Sequence, residues 1–175
     1  LGVGDKEDRL VPTEVDLGPG RTARAISAGW SHTCVIMDTG AVKCWGSDIG
    51  GEIEIWTSPS KDLALGTGRI AVGLAAGLGS TCVVLDSGAM KCWVQPEPDD
   101  TTHLPAEVAL GGRRARAVSM RVRHQCVLLT TGAVTCWGRN GRGQLGMGDP
   151  ESSPFRETPE GEVPLGGAVR QMPSP

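Results

Sequence analysis

The chain has 175 residues, 39% of them hydrophobic, with 26 glycines, 12 prolines and a formal charge of -3. That length is enough to bury the core of a single domain, and Gly and Pro spread without a period point to frequent turns and an all-β fold. The mild acidity excludes a net field drawing the whole molecule to nucleic acid or to an anionic membrane, and no stretch approaches the roughly 18 apolar residues of a membrane span.

In chain order, the first strand expected is 25–28, followed by an apolar run from His32 that turns at Asp38-Thr39-Gly40 and returns to Trp45. A second strand at 73–76 precedes a second such hairpin over 80–93, turning at Asp86-Ser87-Gly88. A third at 117–120 precedes a hairpin over 124–137, turning at Thr130-Thr131-Gly132. The runs Thr13-Glu14-Val15 and Glu107-Val108-Ala109 are too brief to assign. Two β-branched-rich runs around such a tripeptide are hairpin punctuation. If Cys34 faces Cys44, then Ile36 faces Val42 and Met37 faces Ala41. That leaves a three-residue loop, usually a type I turn followed by a left-handed residue, where Gly40, Gly88 and Gly132 sit without a Cβ penalty.

Side chains alternate along a strand, so one face of the first hairpin carries Cys34, Ile36, Val42 and Cys44. The other carries Val35, Met37 and Trp45, with Lys43 the polar exception. Both faces are apolar, as in a sheet sandwiched between neighbours. Cys34 and Cys82 are 48 residues apart, and Cys82 and Cys126 are 44 apart. A strand-rich period of that size indicates a propeller or solenoid, with about four short strands per repeat.

The cysteines form three equally spaced pairs, Cys34 with Cys44, Cys82 with Cys92 and Cys126 with Cys136. Opposed hairpin positions lie roughly 4.5 to 5.5 Å apart at Cα, within bridging range, and closing so short a loop stabilises by about 2 to 3 kcal/mol. Disulfides are favoured over reduced, buried thiols. Zinc, which draws on close pairs such as Cys-x2-Cys, ranks last. Bridges imply an oxidising compartment.

Other patterns are read structurally. Gly141, Gly143 and Gly146 match the dinucleotide fingerprint in letters, but Met147-Gly148-Asp149-Pro150 starts no helix to receive a pyrophosphate. His32 and His124 precede cysteines where Ser80 stands in the second repeat, and recurrence favours a structural role, bonding local backbone, over a Cys/His catalytic pair. His103 is isolated in an acidic loop. Arg113, Arg114, Arg116, Arg121 and Arg123 crowd one stretch. Arg116, Arg121 and Arg123 make a candidate partner-binding patch, with Arg121 and Arg123 on one face of a strand. A solvated edge compensated by Glu97, Asp99 and Asp100 is the alternative.

The segments Ala28-Gly29-Trp30-Ser31-His32-Thr33-Cys34, Gly40-Ala41-Val42-Lys43-Cys44-Trp45-Gly46 and Gly141-Arg142-Gly143-Gln144-Leu145-Gly146-Met147-Gly148-Asp149 resemble the regulator of chromosome condensation repeat. Leu1-Gly2-Val3-Gly4-Asp5 is similar to the tail of the last of these, Gly50-Gly51-Glu52-Ile53-Glu54-Ile55 is a decayed copy, and 94–100 a shortened one. The resemblance implies a typically seven-bladed propeller, here a single partial domain over 1–175. It would hold three to three and a half four-stranded antiparallel blades in an open arc, with incomplete repeats at both ends. Uncovered end blades then invite self-association, and 166–172 is expected to pack poorly. The family's best-known role, nucleotide exchange on a small nuclear GTPase while bound to chromatin, would call for an inserted hairpin wedge and a basic tail, and the sequence has neither. The expected function is therefore a non-catalytic, disulfide-stabilised protein-binding scaffold, outside the cytoplasm, with no cofactor, metal or nucleic acid. An exchange factor and a purely structural secreted or surface repeat are the alternatives, as is an intracellular location if the cysteines are reduced.

Overall fold

Short β-branched runs interrupted by glycine suit strands rather than helices. The computed structural model, which describes residues 1–46, 58–59, 62–94, 106–148, 155–156, 158–159 and 161–165, contains strands and no helix among those residues. The decayed copy at 50–55, His103, the acids Glu97, Asp99 and Asp100, and the segment 166–172 lie outside the described residues.

The strands are β1 (Ala23–Ala28), β2 (His32–Met37), β3 (Val42–Gly46), β4 (Ala71–Ala76), β5 (Ser80–Leu85), β6 (Met90–Val94), β7 (Ala106–Glu107), β8 (Ala115–Arg121), β9 (His124–Leu129), β10 (Val134–Arg139) and β11 (Phe155–Arg156). They form three antiparallel sheets in sequence order, β1 to β3, β4 to β7 and β8 to β11. These are the blades of a partial propeller. In the first blade the fourth place is held by a single bridge from Asp62 to Lys43. β1, β4 and β8 each start two residues before the expected strand, because a bulge accommodates one extra residue, Arg24, Val72 or Arg116, all exposed.

Each hairpin has the register set by its turn. Cys34 stands opposite Cys44 and Ile36 opposite Val42. Gly40 donates its amide to the Met37 carbonyl at 2.9 Å, and Met37 donates to the Ala41 carbonyl at 2.8 Å. This is a type I turn closed by a left-handed glycine at φ 84°, repeated by Gly88 at 80° and Gly132 at 88°.

Between blades the two faces interlock. Cys34, Ile36, Val42 and Cys44 pack with Val83, Leu85 and Trp93 of the second blade. Cys82, Val84, Met90 and Cys92 pack in the same way with Val127, Leu129 and Trp137 of the third. A short extended tail after each third strand completes the joint. Leu63 donates to the Val42 carbonyl and Val108 to that of Met90, which carries Leu65 and Leu110 over the next blade's tryptophan face. Residues 15–17 do the same for the first blade, where Val15 and Leu17 cover Val35, Met37 and Trp45. An added Cβ on Gly2 would fall 2.7 Å from the Trp45 indole nitrogen.

The N-terminal blade face is covered over Val35, Met37 and Trp45, while Ile26, opposite Val35 on that face, is 70% exposed, so the expected open face is closed only in part. Among the described residues the other end is the less covered. Cys126, Leu128 and Val134 are only partly buried, where Cys34, Ile36 and Val42 are buried, and Leu165 is 66% exposed where Leu65 and Leu110 are buried.

Candidate functional site

The cysteines occupy the face that each blade turns toward the next. Their sulfurs lie 2.08, 2.12 and 2.09 Å apart, bonded in the three expected pairs, and each pair has its Cα atoms 4.1 Å apart. Met37 and Ala41 are hydrogen-bonded neighbours, so alternation along the ladder puts Cys34 and Cys44 at a narrow, non-hydrogen-bonded pair where side chains stand closest. No free thiol remains among the described residues. A Cys/His catalytic pair therefore has no nucleophile, since the thiolate is the reactive species.

His32 is buried, and one partner of its ring lies in the next blade. Its Nε2 lies 2.8 Å from the Thr81 hydroxyl of the next blade, and that hydroxyl also lies 3.7 Å from Cys34 Sγ. The third blade repeats the device with Gln125, whose Oε1 lies 3.3 Å from Cys82 Sγ. A polar side chain one residue into the second strand thus touches the preceding blade's disulfide. The repeated sequence His-Thr-Cys, Ser-Thr-Cys, His-Gln-Cys carried this signal, and only the blade packing gives it meaning. His124 faces the less covered end of the stack.

The glycines that imitate a dinucleotide fingerprint form successive turns. Gly143 donates to the Asn140 carbonyl and Gly146 to that of Gly143, while the buried Asn140 side chain accepts the Leu145 amide at 3.1 Å. Among the described residues no three His, Cys, Asp or Glu side chains converge as metal ligands would.

The arginines separate by position. Arg113 is spent on carbonyls, donating to Leu110, Pro159 and Gly161, and Arg114 donates to the Ser87 carbonyl at 2.8 Å. Arg116 occupies the β8 bulge near the hairpin-turn end of the blade. Arg121 closes β8 at the far end, and Arg123 lies beyond it in a two-residue turn rather than on the same strand face. Arg139 joins these two, its amide donating to the Arg123 carbonyl at 2.7 Å. All four of Arg116, Arg121, Arg123 and Arg139 are exposed.

That far end, where the first and second strands of each blade meet, also carries an exposed apolar side chain at the equivalent place in each blade. Trp30 is 80% exposed, Val122 50% and Leu78 37%. The three turns adjoin, since the Trp30 amide donates to the Gly77 carbonyl at 3.0 Å and a Cβ on Gly77 would touch Met120. Reading the sequence alone misses this row, because an apolar residue beside a strand looks like core until its neighbours are placed. At the opposite end the turn carboxylates are paired, Asp38 with Arg21 and Asp86 with Arg69. In the N-terminal segment Asp5 accepts the Glu7 amide at 3.0 Å and pairs with Arg9, which together hold its carboxyl below the usual range.

Residues 23–49 and 122–144 match the regulator of chromosome condensation (RCC1) repeat. Among solved structures, yeast RCC1 (Prp20) in its complex with Kap60 superposes with a TM-score of 0.72 at 19% identity, over 86% of this chain and 37% of that one. Prp20p of Saccharomyces cerevisiae, described with its binding to Gsp1p and histones, gives 0.67 at 19% identity over 80% and 36%. Human WBSCR16 gives 0.63 at 16% identity over 82% and 40%. At these identities the likeness establishes the fold, and the chain spans between 36% and 40% of the length of these proteins. No curated protein matches the sequence significantly.

Proposed function

We propose, from the premise that this chain belongs to the regulator of chromosome condensation repeat family, that it is a single partial-propeller domain over 1–175 acting as a non-catalytic scaffold for a protein partner. One observation carries the reading. Cys34, Cys44, Cys82 and Cys92, with His32, Thr81 and Gln125, are taken up in the joints between blades, and the third cysteine pair is bridged, which leaves the exposed turn ends as the surface where recognition can occur. Yeast Prp20 is described with Kap60, and with Gsp1p and histones, which supports protein as the class of partner here. The bridged cysteines support an oxidising, extracytoplasmic setting. Arg121 and Arg123, with Arg116 farther along β8, are the charged groups offered to the partner.

The test is capture of binding proteins from the source material, followed by reconstitution of each complex from purified components. A saturable complex is expected, with no change in guanine nucleotide release from a small GTPase. Release accelerated well above the spontaneous rate would replace this reading with that of an exchange factor.

A further inference from the structure

We propose that the end of the stack formed by the β1–β2, β4–β5 and β8–β9 turns docks an acidic peptide segment bearing large apolar side chains. This rests on the scaffold reading and names the partner's chemistry. Trp30, Leu78 and Val122 present exposed apolar surface from three adjoining turns. Tryptophan left mostly in water is costly, and it is the side chain most often found at the energetic centre of an interface.

Charge selects the occupant. Arg121, Arg123 and Arg139 crowd the third-blade side of the row, and none of them is in an ion pair among the described residues. The turn acids at the opposite end already have arginine partners. A basic cluster without an ion-pair partner among the described residues, set beside apolar anchors, is complementary to carboxylates flanking apolar side chains.

Backbone conformation adds an independent sign. Val122 has φ 39°, a left-handed value that a β-branched residue rarely adopts, and it occupies the first corner of a two-residue turn. Strain held at an exposed residue marks a place where the side chain is wanted despite its backbone. The equivalent turn of the second blade uses Gly79 for its positive φ.

The test uses the full 175-residue chain and a labelled peptide of about ten residues alternating Glu and Leu, read by fluorescence anisotropy. Two counterparts replace Glu with Gln or Leu with Ser. The Glu/Leu peptide is expected to bind more tightly than either counterpart, by about tenfold or more, and to weaken as salt rises. Trp30→Ser, and separately Arg121→Gln with Arg123→Gln, should each weaken it about tenfold with melting unchanged. Val122→Gly removes the side chain and relieves the turn, so it should weaken binding while melting holds or rises, a combination that a merely structural valine would not produce. Equal binding of the three peptides, or indifference to these substitutions, overturns the proposal. A captured protein that cross-links only to the opposite turns at 38–40 and 86–88 sinks this site and leaves the scaffold reading intact. Concentration-dependent self-association abolished by Trp30→Ser would assign the surface to a second copy of the chain instead and overturn the peptide.

Discussion

At the scale of single residues, the hairpin glycines serve two purposes that separate along the stack. Gly40 needs its positive φ, and it also has no room for a side chain, since a Cβ would fall 2.5 Å from Ile70 Cβ of the next blade. Gly132 has a similar positive φ, yet a Cβ there meets nothing within 4 Å. Gly132→Ala should therefore cost only the left-handed penalty, about 1 kcal/mol. Gly40→Ala should cost about 3 kcal/mol, because an overpacked contact is added. Denaturant midpoints of the two variants measure the difference, and equal losses would mean that the joint at Ile70 yields freely. Thr81 illustrates a different economy of contact. One hydroxyl, 49 residues from His32, joins a histidine and a disulfide across a blade boundary, and no rule of local sequence would have paired them.

At the scale of the element, the three bridged hairpins are chemically alike and differ in cover. Cys34 and Cys82 are at most 1% exposed beneath a following blade, whereas Cys126 is only partly buried and has no following blade among the described residues. Exchange requires a thiolate to reach sulfur. Under mild dithiol reduction with alkylation, Cys126 and Cys136 should be labelled first by a clear margin in peptide mass spectra, and simultaneous labelling of all six would show that the blades part as readily as they expose a face. The hairpins themselves were legible in the sequence because their causes are local: alternation of side chains, a cysteine pair ten residues apart, and a tripeptide ending in glycine. The fourth strands were not legible. β7 and β11 are two residues each, and in the first blade the fourth place is held only by a bridge at Asp62 and the Leu63 amide among the described residues. Their apolar residues gain meaning only from the tryptophan face of the following blade, a contact made by tertiary packing rather than by propensity. The arginine cluster was found as composition, but a two-residue turn at Val122 and a bulge at Arg116 redistributed it.

For the molecule as a whole, the N-terminal face is covered at Val35, Met37 and Trp45 and exposed at Ile26, and among the described residues the C-terminal face is the less covered of the two, so the stack is unequal at its ends. An array with equally adhesive surfaces at both ends would grow without limit, whereas one with a single dominant adhesive face can close by pairing that face with its own copy. The isolated 175-residue chain should therefore reach the mass of a dimer in light scattering as concentration rises, and stop there. Continued growth in mass would show that the N-terminal face adheres as well, and a monomer at every concentration would show that the face around Leu128 is covered. The bridges also shape how such a stack would come apart under load. Pulled from its termini, it should surrender whole blades, because each blade touches only its neighbours. Within each blade, the residues between bridged cysteines, ten apart in sequence, are withheld from the lengthening chain. At about 3.4 Å per extended residue, the bridge shortens every such step by about 30 Å. Reduction would return that hidden length, and the same molecule would become the longer tether.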